Sequence, residues 1–141
     1  MLVRLLYASR AAAPADNATI SAILQQSRRH NPPAGITGVL CHNERLFLQV
    51  LEGGREQVNR LYARIMVDPR HADVTLLHYA EISERRYAGW TMGQTNLDKL
   101  NAGTLLRYSA LPEFDPYTLS GNSSLALIDE LMNVAAVLGG A

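Results

Sequence analysis

The chain is short of the residues that most often declare a chemistry. Its one cysteine, Cys41, can make neither an internal disulfide nor a cysteine-based zinc site. It carries no net charge, 13 basic residues balancing 13 acidic ones. That removes the electrostatic case for nucleic acid or a membrane surface as partner and leaves little repulsion against self-association, so a homo-oligomer is expected. No apolar run approaches the ~20 residues that span a bilayer, and Met1–Tyr7 lacks the long apolar core of a signal peptide. A cytoplasmic location is the expectation. The four histidines (His30, His42, His71, His78) have no metal-ligand spacing. Gly35-Ile36-Thr37-Gly38 leads into a strand and has no lysine, so it is no phosphate loop. Gly53-Gly54 precedes a helix without the dinucleotide fingerprint. With no nucleophile motif and no paired-carboxylate site, turnover chemistry is not expected.

What is present is a globular composition. Of 141 residues, 48% are hydrophobic and 18% charged, enough for one domain with a core and too little for two ordinary ones. Val3–Ser9 reads as a first strand. Asn17 or Thr19 is placed to cap a helix whose apolar face recurs at Ile20, Ile23 and Leu24 and continues to Ser27. Pro32-Pro33 ends that helix. Gly35–His42 and Arg45–Leu51 predict a hairpin turning at Cys41-His42-Asn43-Glu44. A second helix with Val58, Leu61, Tyr62, Ile65 and Met66 on one face follows Gly53-Gly54 and stops at Asp68-Pro69. Val74–Ile82 predicts a fourth strand and Arg86–Met92 a fifth. The order βαββαββ gives an α+β, ferredoxin-like class, with a five-stranded mixed sheet and two helices on one face. Residues 1–95 form that domain. In the extension, 96–141, a short helix within Leu97–Ser109, a loop over Pro112–Gly121 and a final apolar helix over Leu125–Leu138 make a helical cap. That cap packs on the sheet or in an oligomer interface.

A few residues stand out against this frame. Gln49 lies inside the apolar run Leu46-Phe47-Leu48-Gln49-Val50-Leu51, where an unpartnered buried amide would cost ~1–3 kcal/mol. It either belongs to a polar constellation or faces solvent on an edge strand. Tyr7 is either a core tyrosine with a bonded hydroxyl or part of the same constellation. Asn31, just before Pro-Pro, is either a helix-terminal turn asparagine, the commoner fate there, or part of the same constellation. Trp90 and Met92, two residues apart on a strand, would share a face as core, or as soft neighbours of a flat aromatic ligand. Arg70 is either a solvated turn residue or a fork-shaped donor to a ring carbonyl.

Taken together, these stretches resemble the BLUF family, the blue-light sensors that use FAD. The resemblance runs from about residue 2 to residue 93. It is carried by Leu5-Leu6-Tyr7-Ala8-Ser9, Ser27 through Asn31, Gly35-Ile36-Thr37-Gly38-Val39-Leu40, Phe47–Gly53, Asp68-Pro69-Arg70-His71 and Trp90-Thr91-Met92-Gly93. The short length is similar to that of the stand-alone members, which have no fused cyclase or phosphodiesterase domain. The resemblance implies FAD with its ring between the two main helices. Asn31 would hold the C4 carbonyl and N3 edge and Arg70 approach the C2 carbonyl, with His30 and His71 beside the ring. Ser27 would lie near Gln49 and Trp90, and Arg64 near the ribityl or phosphate end. Ile23, Leu24, Ile36 and Leu40 would be apolar walls. It further implies that Tyr7 gives the excited flavin an electron and a proton, that the Gln49 amide rearranges, and that Trp90 and Met92 relay the change to a downstream signalling protein. Departing from the family, Pro32 stiffens the loop after Asn31. Two other readings fit the residues alone: a ligand-binding regulatory module without photochemistry, and a flavin oxidoreductase.

Overall fold

The computed structural model describes the backbone of residues 1–137 and side chains through Asn133. Its elements are β1 (Leu2–Ala11), α1 (Asn17–His30), β2 (Thr37–His42), β3 (Leu46–Gly54), α2 (Arg55–Met66), β4 (His71–Ile82), β5 (Gly93–Asn96), a 3-10 turn (Leu97–Lys99), α3 (Ala102–Tyr108) and α4 (Gly121–Val137). The sheet order is β4-β1-β3-β2-β5. β1 pairs antiparallel with β3 and β4, β2 pairs antiparallel with β3, and β5 joins parallel to β2. β1 and β2 thus run parallel with β3 between them, the split βαβ arrangement of the expected ferredoxin-like class, with β5 added at one edge.

Both faces of the sheet are covered. On the near face, Ile20, Ile23 and Leu24 of α1 and Val58 of α2 pack on Val3, Leu5, Tyr7, Leu40, Phe47 and Leu51. On the far face, Leu125, Ile128, Leu131 and Met132 of α4 pack on Leu6, Ala8, Val39, Cys41, Leu48 and Val50. Two covered faces explain why β3 is an apolar run without alternation: residues 46–53 are all buried. Gly38 lets β2 approach β3, since a Cβ there would lie 2.1 Å from the Val50 carbonyl oxygen.

Several sequence expectations need correction. The cap of α1 is Asp16, whose carboxylate accepts from the Thr19 amide at 2.8 Å; Asn17 is already helical. The hairpin bend is at residues 43–45, because Asn43 Oδ1 accepts from the amides of Arg45 and Leu46 and turns the chain itself. Met66 is exposed, although its neighbour Ile65 in the same turn of α2 packs against the near-face core. The fifth strand is Gly93–Asn96, not Arg86–Met92. Residues 83–92 form bends and turns because Glu52 and Gly38 draw their backbone amides and carbonyls away from any ladder. The final helix begins at Gly121 rather than Leu125. Leu138 lies outside the described residues, as do the side chains of Val134 and Val137.

Candidate functional site

Between α1 and α2, above the sheet, lies a cleft open to solvent at its mouth. Its floor is one side chain from each of three strands: Tyr7 of β1, Leu40 of β2 and Gln49 of β3. These meet because the register pairs Tyr7 with Gln49 and Gln49 with Leu40. Ile23, Ser27 and His30 of α1 form one wall, with Asn31 at the helix end. Arg64 of α2 stands opposite, and Arg70 and His71 close the side.

At the centre, the Tyr7 hydroxyl donates to Gln49 Oε1 at 2.5 Å, and Gln49 Nε2 points to Met92 Sδ at 3.3 Å. Gln49 is 4% exposed on an inner strand, so its amide is a buried group with both ends engaged and not an edge residue in solvent. The Tyr7 ring packs against Tyr62 (centroids 5.6 Å apart) and edge-on to His71 (6.1 Å). Burial, reinforced by Tyr62 and Asp68, pushes the Tyr7 hydroxyl far above the ordinary phenol range. It therefore stays protonated as a donor at any ordinary pH. His71 Nδ1 is hydrogen-bonded to the buried Ser9 hydroxyl at 2.6 Å, and burial lowers its tendency to charge.

Arg70 is no free turn residue. Asp68 grips its Nε at 3.0 and 3.1 Å and its Nη2 at 2.6 Å, and Gln26 Oε1 accepts from Nη2 at 3.0 Å. This bonding raises the Arg70 guanidinium and holds the Asp68 carboxyl below the usual range. The guanidinium is a fixed cation at the cleft wall. Asn31 caps α1 with its backbone N–H on the Ser27 carbonyl, yet its buried Nδ2 has no partner among the described residues. A buried amide left without an acceptor at a cleft wall calls for a ligand that supplies one.

Ten of the sequence-derived residues line this cleft: Tyr7, Ile23, Ser27, His30, Asn31, Leu40, Gln49, Arg64, Arg70 and His71. Leu24 and Ile36 are buried in the near-face core behind it and do not line it. Met92 touches Gln49 from the core side. Trp90 lies apart, packed into the far-face cluster with α4, so Trp90 and Met92 do not share a face and Ser27 is not beside Trp90. The period-two rule fails there because the segment is not a strand. Sequence reasoning passed over Gln26, Leu61, Ile65 and Asp68. Leu61 and Ile65 were visible as the apolar face of α2, and Gln26 lies one helical turn before His30.

The donor set suits a flat heteroaromatic ring: apolar walls, an orphaned amide donor, a fixed guanidinium and aromatic neighbours. Comparison with known proteins agrees. The sequence profile described as BLUF, "Sensors of blue-light using FAD", matches residues 2–93. Photoactivated adenylate cyclase subunit beta of Euglena gracilis is 45% identical over 92 residues, 64% of this chain and 11% of that protein. The chain thus spans about a ninth of the cyclase subunit. Among solved structures, the BLUF protein BlrB in its dark state has a TM-score of 0.76 at 32% identity, covering 95% of this chain and 96% of that one. The photo-activated state of BlsA has a TM-score of 0.80 at 29% identity, covering 93% and 94%. The chain belongs to the BLUF family, is a blue-light sensor, and takes FAD as its cofactor.

Proposed function

We propose that this sensor works through the Tyr7–Gln49–Met92 line and signals by protein contact rather than by turnover. The 2.5 Å bond from Tyr7 to a buried Gln49 amide carries this reading. Asn31 Nδ2 and the Arg70 guanidinium would hold the ring carbonyls, His30, Ser27, Ile23, Leu40 and His71 would bound the ring, and Arg64 would serve the ribityl or phosphate end. When bound, FAD absorbs blue light and accepts an electron and a proton. Tyr7 is the oxidisable residue, and its hydroxyl proton already lies on the bond to Gln49. The amide has a donor at one end and an acceptor at the other. If it rotates, Oε1 turns to Met92 Sδ and sets one acceptor against another. The Met92 contact is then lost, and the change leaves the cleft along residues 83–92. Tautomerisation of the amide changes the same two contacts.

The same reading takes residues 1–95 as the FAD-binding domain and 96–141 as a helical extension that hands the signal to a cytoplasmic partner protein or a second copy of this chain. Among the described residues, no helix is long and apolar enough to cross a membrane. The carrying observation is tested by Gln49→Leu. A rearranged Gln49 amide would leave a different hydrogen bond on the flavin ring and move its absorption slightly to the red under blue light; the variant is expected to bind FAD and fold while losing this red shift, and a parent-like shift would overturn the amide mechanism. Asn31→Ala removes the orphaned donor. Roughly five- to tenfold weaker FAD retention is expected for one lost neutral hydrogen bond. Equilibrium dialysis against free FAD measures it, and unchanged retention would misplace the ring.

A further inference from the structure

On the far face, a second polar chain runs from β3 to α4. Glu52 is fully buried, three residues after Gln49 on the same strand and on the opposite face. Arg4 of β1 donates to it with Nε at 2.9 Å and Nη2 at 2.7 Å. The remaining capacity of the carboxylate is spent on backbone: the amide of Arg86 at 3.0 Å and that of Tyr87 at 2.7 Å. The Arg85 side chain adds a bond to Thr37 Oγ1 at 3.0 Å. The start of the connection between β4 and β5 is therefore fixed to the sheet.

Tyr87 continues the chain. Its ring is buried in the far-face cluster beside Leu125, Ile128 and Met132, and its hydroxyl donates to Asp129 Oδ1 of α4 at 2.6 Å. Arg86 donates to the other oxygen of the same carboxylate at 3.0 Å. Five residues after Tyr87 the segment delivers Met92 to Gln49, and midway Trp90 gives its carbonyl to the Gly38 amide at 3.1 Å. Thus one short segment touches the Gln49 amide at one end and holds an α4 carboxylate at the other. An ordinary loop would leave Asp129, a half-exposed residue, to water.

We propose that Tyr87 is the positioning residue that couples the photoactive amide to α4, by holding Asp129 from a backbone anchored on Glu52. This rests on the photosensor reading above and names its route across the sheet. Loss of the Met92 contact changes the tension on residues 88–92, and the Tyr87–Asp129 bond passes that change to the middle of α4. Without the bond, α4 keeps its apolar packing but no longer registers the state of Gln49.

The test is hydrogen–deuterium exchange of the FAD-loaded full chain, dark and under blue light, read on peptides covering residues 121–133. Absorption spectra are recorded on the same samples. In the parent, exchange of these peptides is expected to differ between dark and light. In Tyr87→Phe the red shift should persist at parent amplitude while most of that difference disappears. Asp129→Ala, at a partly exposed position, removes the acceptor of the Tyr87 hydroxyl altogether, gives a second variant should the first fail to fold, and should act in the same direction. A Tyr87→Phe or Asp129→Ala protein with a parent-like light response in α4 overturns the proposal. So does a parent whose red shift is normal but whose α4 exchange ignores light. A parent with no red shift would instead refute the photosensor mechanism itself, which separates the two failures.

Discussion

Tyr7→Phe is expected to give a folded, yellow protein whose absorption does not move under blue light. The phenyl ring keeps the packing on Tyr62 and His71, since those contacts are made by ring carbons. What disappears is the hydroxyl that donates to Gln49 Oε1, and with it the oxidisable, proton-bearing group at the cleft floor. The buried Gln49 oxygen loses its donor, a stability cost of about 1–3 kcal/mol that a domain of this size tolerates. Photochemistry and stability therefore separate in this variant: loss of the shift should be complete while the melting temperature falls by only a few degrees. A light-induced red shift of parent amplitude in Tyr7→Phe would remove Tyr7 from the mechanism. The parent shift should also be insensitive to pH between about 6 and 9, because burial holds the Tyr7 hydroxyl protonated throughout.

The largest stability effect should come from a residue outside the cleft. Glu52→Ala leaves the Arg4 guanidinium, 11% exposed, without its partner, and takes the carboxylate acceptor from the Arg86 and Tyr87 amides. Breaking a buried ion pair from one side costs about 3–5 kcal/mol. That is a large fraction of the ~5–15 kcal/mol that holds a domain together. A fall in melting temperature of roughly 10 °C or more is expected by scanning calorimetry on the FAD-loaded protein. The companion double variant, Arg4→Met with Glu52→Leu, should recover much of the loss, because it removes both charges together. A Glu52→Ala protein within 2 °C of the parent, to the order of measurement error, would mean that the segment stays in place without the carboxylate.

The two predictions differ in how far the sequence foretold them. Tyr7, Gln49 and Asn31 could be picked out early. A polar residue inside an apolar strand is a local anomaly, and the register that joins Tyr7 to Gln49 needs only two strands side by side. The ferredoxin-like order was legible for a similar reason: helix and strand periods, with glycine and proline punctuation, mark the elements up to Ile82. Beyond that point the signals fail. Arg86–Met92 has the apolar and aromatic content of a strand, but its backbone is claimed by Glu52 and Gly38, both more than 30 residues earlier. Such long-range competition leaves no periodic trace, and the facing of Trp90 and Met92 was lost with it. Glu52 was hidden by its own setting, because a glutamate before Gly-Gly looks like the polar end of a strand until Arg4 and Tyr87 are seen around it. The apolar character of α4 was plain, but the face of the sheet it covers was not.

The sheet order also has a temporal consequence. β1 is made first, yet its two partners are β3, some 40 residues later, and β4, some 70 residues later. A chain emerging from the ribosome therefore carries β1 without its second partner until residue 82 is free. The apolar underside of β1, β2 and β3 waits longer still, until Leu125–Met132 has been translated. At ~5–20 residues per second that interval is several seconds, long compared with hydrophobic collapse. Over that time the nascent chain presents Leu6, Val39, Leu48 and Val50 as a sticky surface, the situation in which chaperone holding matters most. The final helix is thus a quality-control element as well: a nascent chain halted before it would keep half of its core in water.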